Sequence, residues 1–179
     1  GVGINTIKKG LEEIIGVPGR LEKIDEGQDF TVIVDYAYEP KAVGKLYETI
    51  EKIPHEKIIH VLGSCGGGRD SARRPKLGQL AGEKSEYVII TNEDPYDENP
   101  QIIIDQVASG AENKGKVLDE DLFKTLDRKE AIKKALNLAD AGDLVLITGK
   151  GSEQAICLAN GEKIPWDDRE VVREILKVR

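Results

Sequence analysis

Ile58-Ile59-His60-Val61-Leu62-Gly63-Ser64-Cys65-Gly66-Gly67-Gly68-Arg69-Asp70-Ser71-Ala72-Arg73-Arg74-Pro75 is the stretch on which the reading of this 179-residue chain turns. Its apolar opening, Ile58 to Leu62, has the composition of a strand buried on both faces of a parallel sheet. Gly63 ends the run, and Gly66, Gly67 and Gly68 allow backbone turns that a Cβ would forbid. Arg69, Asp70, Arg73 and Arg74 follow, and Pro75 suits the first turn of a helix. A strand, a charged glycine loop and a helix are how an open α/β sheet presents groups beyond its strand carboxyl ends. Taken alone, the stretch also fits a flexible turn with solvated charges, because a single glycine motif is a weak signal.

The same alternation continues outward. Phe30 to Asp35, Tyr87 to Thr91 and Leu144 to Ile147 are the other strong strands, and Lys116 to Leu118 is a brief one. Helices are expected from Pro40, with Val43, Leu46, Tyr47 and Ile50 on the apolar face, over Lys76–Lys84, over Ile102–Ala108, after the Asp127–Glu130 capping box, and after Asp167. Asn160-Gly161 between Ala155–Leu158 and Lys163–Trp166 signals a C-terminal hairpin. Strands alternating with helices imply an open, mostly parallel, Rossmann-like α/β sheet with helices on both faces. Ile4, Ile7, Leu11, Ile14 and Ile15 form a helical stripe that Gly16 stops, so residues 1–16 read as a separate helix and 17–179 as one domain. The start at Gly1 and the absence of methionine suggest a piece of a longer chain.

Composition narrows the function. Hydrophobic residues make up 39% and charged residues 33%, with no apolar run near the ~20 residues of a membrane span. No signal-peptide pattern is present, so the cytoplasm is the expected compartment. A formal net charge of −7 argues against a nucleic-acid surface. Cys65 and Cys157 make neither a disulfide framework nor a metal pattern. Cys65, in the glycine loop, is weighed as a catalytic thiol, but with no histidine nearby in sequence it reads better as a small residue in a tight place. His60, inside a strand, is expected to be packed.

Four polar segments, 35–40, 66–74, 92–98 and 149–153, follow predicted strands and should meet at one sheet edge. Gly149-Lys150-Gly151-Ser152 is not a phosphate loop, because the hydroxyl does not follow the lysine and position 144 is leucine rather than glycine. The chain by itself is therefore not expected to hydrolyse a nucleotide.

Six motifs then occur in one order: Val17-Pro18-Gly19-Arg20-Leu21-Glu22; Val34-Asp35-Tyr36-Ala37-Tyr38-Glu39-Pro40; Gly66-Gly67-Gly68-Arg69-Asp70 with Arg73-Arg74-Pro75; Asn92-Glu93-Asp94-Pro95; Gly149-Lys150-Gly151-Ser152-Glu153; and Ile164-Pro165-Trp166-Asp167-Asp168-Arg169-Glu170. This order resembles the C-terminal domain of the Mur ligases, closest to the MurE branch, which adds the third residue of the peptidoglycan stem to UDP-N-acetylmuramoyl-dipeptide. The resemblance covers nearly everything from Val17 onward. It implies an ATP-dependent acid–amino-acid ligase, with ATP and magnesium used by the complete enzyme and neither held tightly by this chain. Residues 1–16 would be the last helix of a central ATPase domain. Arg20 and Asp35 are implied to reach the nucleotide phosphate and ribose, and Arg69 the carboxylate of the incoming amino acid. Gly149 and Glu153 are implied to hold its distal amine, while Glu93, Asp94 and Tyr96 fall on the specificity loop. No residue is implied to be catalytic or to bind a metal.

Two positions depart from the family pattern. Tyr38 stands where histidine is usual, and Tyr96 where the diaminopimelate-adding members carry arginine. Because Glu93, Asp94, Tyr96, Asp97 and Glu98 bring no positive charge, the loop is expected to favour a basic diamino acid such as L-lysine or L-ornithine; the alternatives are that these acids face water and a neutral amino acid is used, or that Arg73 or Arg74 swings in and accommodates diaminopimelate. A stand-alone module binding an amino acid or nucleotide, and a folylpolyglutamate-synthase-like ligase domain, are the competing readings.

Overall fold

The computed structural model describes residues 1–14 and 16–178. In chain order the elements are α1 (Ile4–Glu12), β1 (Glu22–Ile24), β2 (Thr31–Val34), α2 (Pro40–Ile50), β3 (Ile58–Leu62), α3 (Arg73–Lys84), β4 (Tyr87–Thr91), α4 (Pro100–Glu112), β5 (Leu122–Thr125), α5 (Arg128–Leu138), β6 (Leu144–Ile147), β7 (Ala155–Cys157), β8 (Lys163–Pro165) and α6 (Asp168–Lys177). Six strands form one sheet in the order β1-β2-β6-β3-β4-β5, and β7 and β8 form a separate antiparallel hairpin. β1 pairs antiparallel with β2, and every other pairing in the large sheet is parallel. The expected α/β architecture, with its terminal hairpin, is the observed one.

The period-2 alternation of a strand explains both layers of core. Ile33, Ile58, Leu62, Val88, Ile90, Leu144 and Leu146 face α2, α3 and α4. Val32, Val34, Ile59, Val61, Ile89, Val145 and Ile147 face α5 and α6. On α2, Val43, Leu46, Tyr47 and Ile50 are the buried residues, as their spacing predicts. By contrast, no residue of α1 is buried; Ile4, Ile7 and Leu11 are exposed. Ile15, the last member of that stripe, lies outside the described residues.

The structure corrects four boundaries. β1 has no strong sequence signal, since Glu22-Lys23-Ile24 contains one apolar residue; it exists because it pairs with β2. The brief strand expected at Lys116–Leu118 is instead a turn in which Leu118 only bridges Leu122, and the strand that pairs with β4 begins at Leu122. α3 starts a turn before Lys76, because the Asp70 carboxylate accepts from the Ala72 amide and sets the helical turn early. α4 runs from Pro100 to Glu112, longer at both ends than Ile102–Ala108, with Asn99 capping its start by accepting from the Gln101 amide.

α3 and α4 cross with their backbones in contact. A Cβ on Gly78 would run into the Val107 carbonyl, and one on Gly110 into the Pro75 carbonyl. Gly78→Ala is therefore expected to cost about 1–3 kcal/mol or more in urea denaturation, because neither backbone can yield. Gly44→Ala, on the open side of α2 with nothing within 4 Å, is expected to be neutral or to stabilise by about 0.4–1 kcal/mol.

Candidate functional site

The four polar loops meet where the parallel strands end. Beyond β2, Asp35 accepts from the Ala37 amide at 2.8 Å and from the Leu21 amide at 2.7 Å, which pulls the turn at Val17–Arg20 against the sheet. Arg20 lies over the Tyr36 ring, 4.1 Å from its centre. Arg20 and Asp35 line a groove of ≈ 500 Å³ together with Tyr36, Tyr38, Glu39 and Lys45.

Next to it, Arg69, Glu93, Asp94, Tyr96, Gly149 and Glu153 line one cavity of ≈ 80 Å³, completed by Tyr36, Tyr38 and Cys65. All six residues that the sequence associates with the incoming amino acid are brought together there. Arg69 is exposed and its guanidinium sits 6.0 Å from the Tyr96 ring centre. Tyr96 itself has φ 50°, and its amide donates to the Cys157 carbonyl, tying the loop after β4 to the hairpin.

The centre of charge is a residue the sequence reading passed over. Lys150 Nζ donates to Asp94 at 2.8 and 2.9 Å and to Glu153 at 2.6 Å, and only 1% of Lys150 is exposed. Burial would push this ammonium down, but its bonds to Asp94 and Glu153 outweigh that and hold it above its ordinary value. Asp94 also accepts from the Cys157 amide at 2.7 Å. The other oxygen of Glu153 accepts from the Tyr36 hydroxyl at 2.8 Å. The signal was present in the sequence: a lysine between two glycines, directly after a fully buried strand, with acids in each neighbouring loop.

Glu93 is different in kind. It is 2% exposed; one oxygen accepts the Cys65 thiol at 2.9 Å, and the other has no partner among the described residues. Burial pushes its carboxyl above the usual range, against the pull of Arg128 and Cys65. The unpaired oxygen faces Gly149, whose φ of +104° and lack of a Cβ let the two approach. The Cys65 thiol is pushed far up by burial and by Glu93, which favours its protonated form.

Arg73 and Arg74 prove to be neither solvated nor free to swing. They are 4% and 2% exposed. Arg73 pairs with Glu39, and Arg74 binds Glu98, Gln106 and the Cys65 carbonyl. The expectation of an unopposed acidic loop is corrected with them: Asp94 is bound to Lys150, Glu98 to Arg74, and Asp97 accepts from the Asn160 amide.

Beneath the loops, Arg128 is buried against Asp168 through two bonds of 2.8 and 2.7 Å, and donates to the Thr148 and Asn92 carbonyls. His60 Nε2 meets Thr148 Oγ1 at 2.9 Å, and its Nδ1 meets the Tyr47 hydroxyl at 2.6 Å. Among the described residues, no group of three or more histidine, cysteine or acidic side chains is arranged to hold a metal ion. No helix among them is long and apolar enough to cross a membrane.

An open parallel sheet whose four carboxyl-end loops build a small, charged cavity beside a wider groove is a ligand-binding α/β domain. Its lineage follows from comparison. The family described as Mur ligase, glutamate ligase domain, matches residues 19–151. A protein of Syntrophomonas wolfei named UDP-N-acetylmuramoyl-L-alanyl-D-glutamate–2,6-diaminopimelate ligase is 39% identical over 99% of this chain and 35% of its own length. A UDP-N-acetylmuramyl-tripeptide synthetase of Borreliella afzelii is 42% identical over 97% of this chain and 34% of its own. A solved structure of a UDP-N-acetylmuramoyl-L-alanyl-D-glutamate–2,6-diaminopimelate ligase superposes with TM-score 0.79 at 30% identity, over 99% of this chain and 35% of that one. The chain belongs to the Mur ligase family, in its glutamate ligase domain. It spans about a third of the length of these relatives. A bifunctional folylpolyglutamate synthase/dihydrofolate synthase from Yersinia pestis, with TM-score 0.60 at 20% identity, shares the fold.

The buried His60 gives a test of this packing. Desolvation, with a smaller contribution from the Arg128 charge, pushes its pKa from the ordinary 6.5 down to about 3. Below pH 6.5 the unfolded chain thus binds more protons than the folded one. The resulting stability is complete above about 6.5 and is lost as the pH falls toward 3, at up to ~1.4 kcal/mol per pH unit. Urea denaturation of wild type and His60→Gln across that range is expected to show a shallower pH slope in the variant.

Proposed function

We propose that this chain is the amino-acid-binding C-terminal domain of a cytoplasmic, ATP-dependent amide ligase of the MurE kind. The complete enzyme would add an amino acid to UDP-N-acetylmuramoyl-dipeptide during peptidoglycan precursor synthesis. In this reading residues 1–16 are the end of a preceding ATPase domain, and the exposed apolar residues of α1 belong against it. The chemistry is phosphorylation of a substrate carboxylate by ATP, followed by attack of the incoming amine. The domain contributes position and the exclusion of water.

The residues fit one wall of a nucleotide site and no more. Arg20 offers a cation suited to a phosphate oxygen. Asp35, although it accepts two backbone amides, keeps lone pairs for ribose hydroxyls. The phosphate loop and the magnesium ligands would come from the preceding domain.

The observation that carries the reading is the charge balance of the cavity. Arg69 has no carboxylate partner among the described residues, which leaves one positive charge. Asp94 and Glu153 share the single charge of Lys150, which leaves one surplus negative charge. Burial holds the Glu93 carboxyl above its usual range, and any charge it keeps adds to that surplus. An amino acid whose α-carboxylate meets Arg69, and whose distal ammonium meets the surplus negative charge, balances both. Meso-diaminopimelate would bring a further carboxylate with no cation left for it. L-lysine or L-ornithine is therefore the substrate class.

In the complete ligase, competition among these three amino acids is expected to favour lysine or ornithine; preference for meso-diaminopimelate would overturn the charge argument. Arg69→Lys is expected to raise the KM for the amino acid by about ten-fold or more and leave that for ATP nearly unchanged, since an ammonium cannot replace a bidentate guanidinium. Equal effects on both substrates would assign Arg69 to the nucleotide instead.

A further inference from the structure

Tyr36 and Tyr38 both stand between the two cavities, and of the two it is Tyr36 that bonds to Glu153 at one end and carries Arg20 on its ring. It lines both the groove that holds Arg20 and Asp35 and the cavity that holds Glu153. Its hydroxyl donates to Glu153 at 2.8 Å, 117 residues away in sequence. Its ring carries the Arg20 guanidinium, and Tyr38 stands edge-on against it at 5.2 Å and 75°. Arg20 has little else to hold it: it donates to the adjacent Gly19 carbonyl at 3.2 Å and makes no ion pair among the described residues. Meanwhile both oxygens of Glu153 are taken, one by Tyr36 and one by Lys150. Each oxygen keeps a further lone pair, so a cationic ligand group can reach Glu153, and once there it competes with both of these bonds. Lys150 is 1% exposed and also clamped on Asp94, so the bond that can yield is the one to Tyr36, which is only partly buried.

We propose that Tyr36 is a positioning residue that couples the two cavities: a ligand ammonium taking Glu153 releases the Tyr36 hydroxyl, the ring turns, and Arg20 moves with it. Occupancy of the smaller cavity thereby sets the pose of the cation in the larger groove. Such coupling is reciprocal, so a phosphate held by Arg20 would in turn favour the pose of Glu153 that receives the ammonium. The identity of the ligand rests on the proposed amino-acid site; the link between Glu153 and Arg20 does not. Glu153 also raises the Tyr36 phenol to about 12, chiefly through that hydrogen bond, which agrees with a contact made in the resting state.

The test is a double-mutant cycle on the 15N-labelled chain, read at the Arg20 Nε–H resonance by NMR. Tyr36→Phe keeps the ring and removes only the hydroxyl, and Glu153→Gln changes the acceptor, so both variants should fold; their amide spectra will show it. Glu153→Gln is expected to shift the Arg20 signal in the wild-type background and not in Tyr36→Phe. Equal shifts in both backgrounds, or none in either, would overturn the proposal. L-lysine is then added to wild type. A shift of the Gly149 amide with no shift at Arg20 would also overturn it. If lysine moves neither signal while the mutant cycle holds, the coupling stands and the reading of the cavity as an amino-acid site is what fails.

Discussion

Arg128 and Asp168 form an ion pair with almost no access to water, and the rest of the site is hung from it. Removing two charges from solvent costs several kcal/mol per ion, and their attraction offsets this only if the remaining donors and acceptors are also satisfied. Here they are. The guanidinium spends its other hydrogens on the carbonyls of Thr148 and Asn92, the first residues beyond β6 and β4, and Asp168 accepts the Trp166 indole at 2.7 Å. Two strand ends, the hairpin exit and the start of α6 are thus fixed to one group. What such a pair contributes is definition of position more than net stability, since losing either partner would leave the other buried and uncompensated.

Lys150 repeats this logic closer to solvent. By binding Asp94 and Glu153 together it ties the loop after β4 to the loop after β6, and it reduces two negative charges to one. Lone acids would repel each other across so small a cavity; a shared ammonium lets them stand side by side with a defined remainder. Glu93 beside them is buried with one oxygen unpaired among the described residues. A bound ligand or an ordered water is what such an atom ordinarily meets.

Much of this was legible in advance. Ile58–Leu62 and Leu144–Ile147 are fully buried strands, and apolar runs, the first broken only by His60, say so without help. The convergence of four loops followed from parallel topology, and it brought six named residues into one cavity. What stayed hidden depends on partners distant in sequence. Glu22–Ile24 is a strand only because β2 offers it an edge. Arg73 and Arg74 look like surface charges until Glu39 and Glu98 are seen to meet them. Lys150 looks like part of a failed phosphate motif until Asp94 and Glu153 close around it. Local pattern reports which face is buried; it does not report which charge will find which.

The strand order has a consequence for how the molecule comes into being. β6 lies between β2 and β3, yet it follows both by a long stretch of chain. Until Leu144–Ile147 has been synthesised, β1–β2 and β3–β4–β5 are two sheets with no shared neighbour, and each leaves an apolar edge open. Non-local pairings of this sort form late, and unpaired strand edges are what folding intermediates expose. The two halves also divide the site, with Asp35 and Tyr36 on one and Arg69 and Glu93 on the other. A nascent chain therefore has no assembled pocket to offer any ligand. The strand that closes the sheet leads straight into Thr148, Gly149, Lys150 and Glu153, so one late event both seals the edges and joins the two walls.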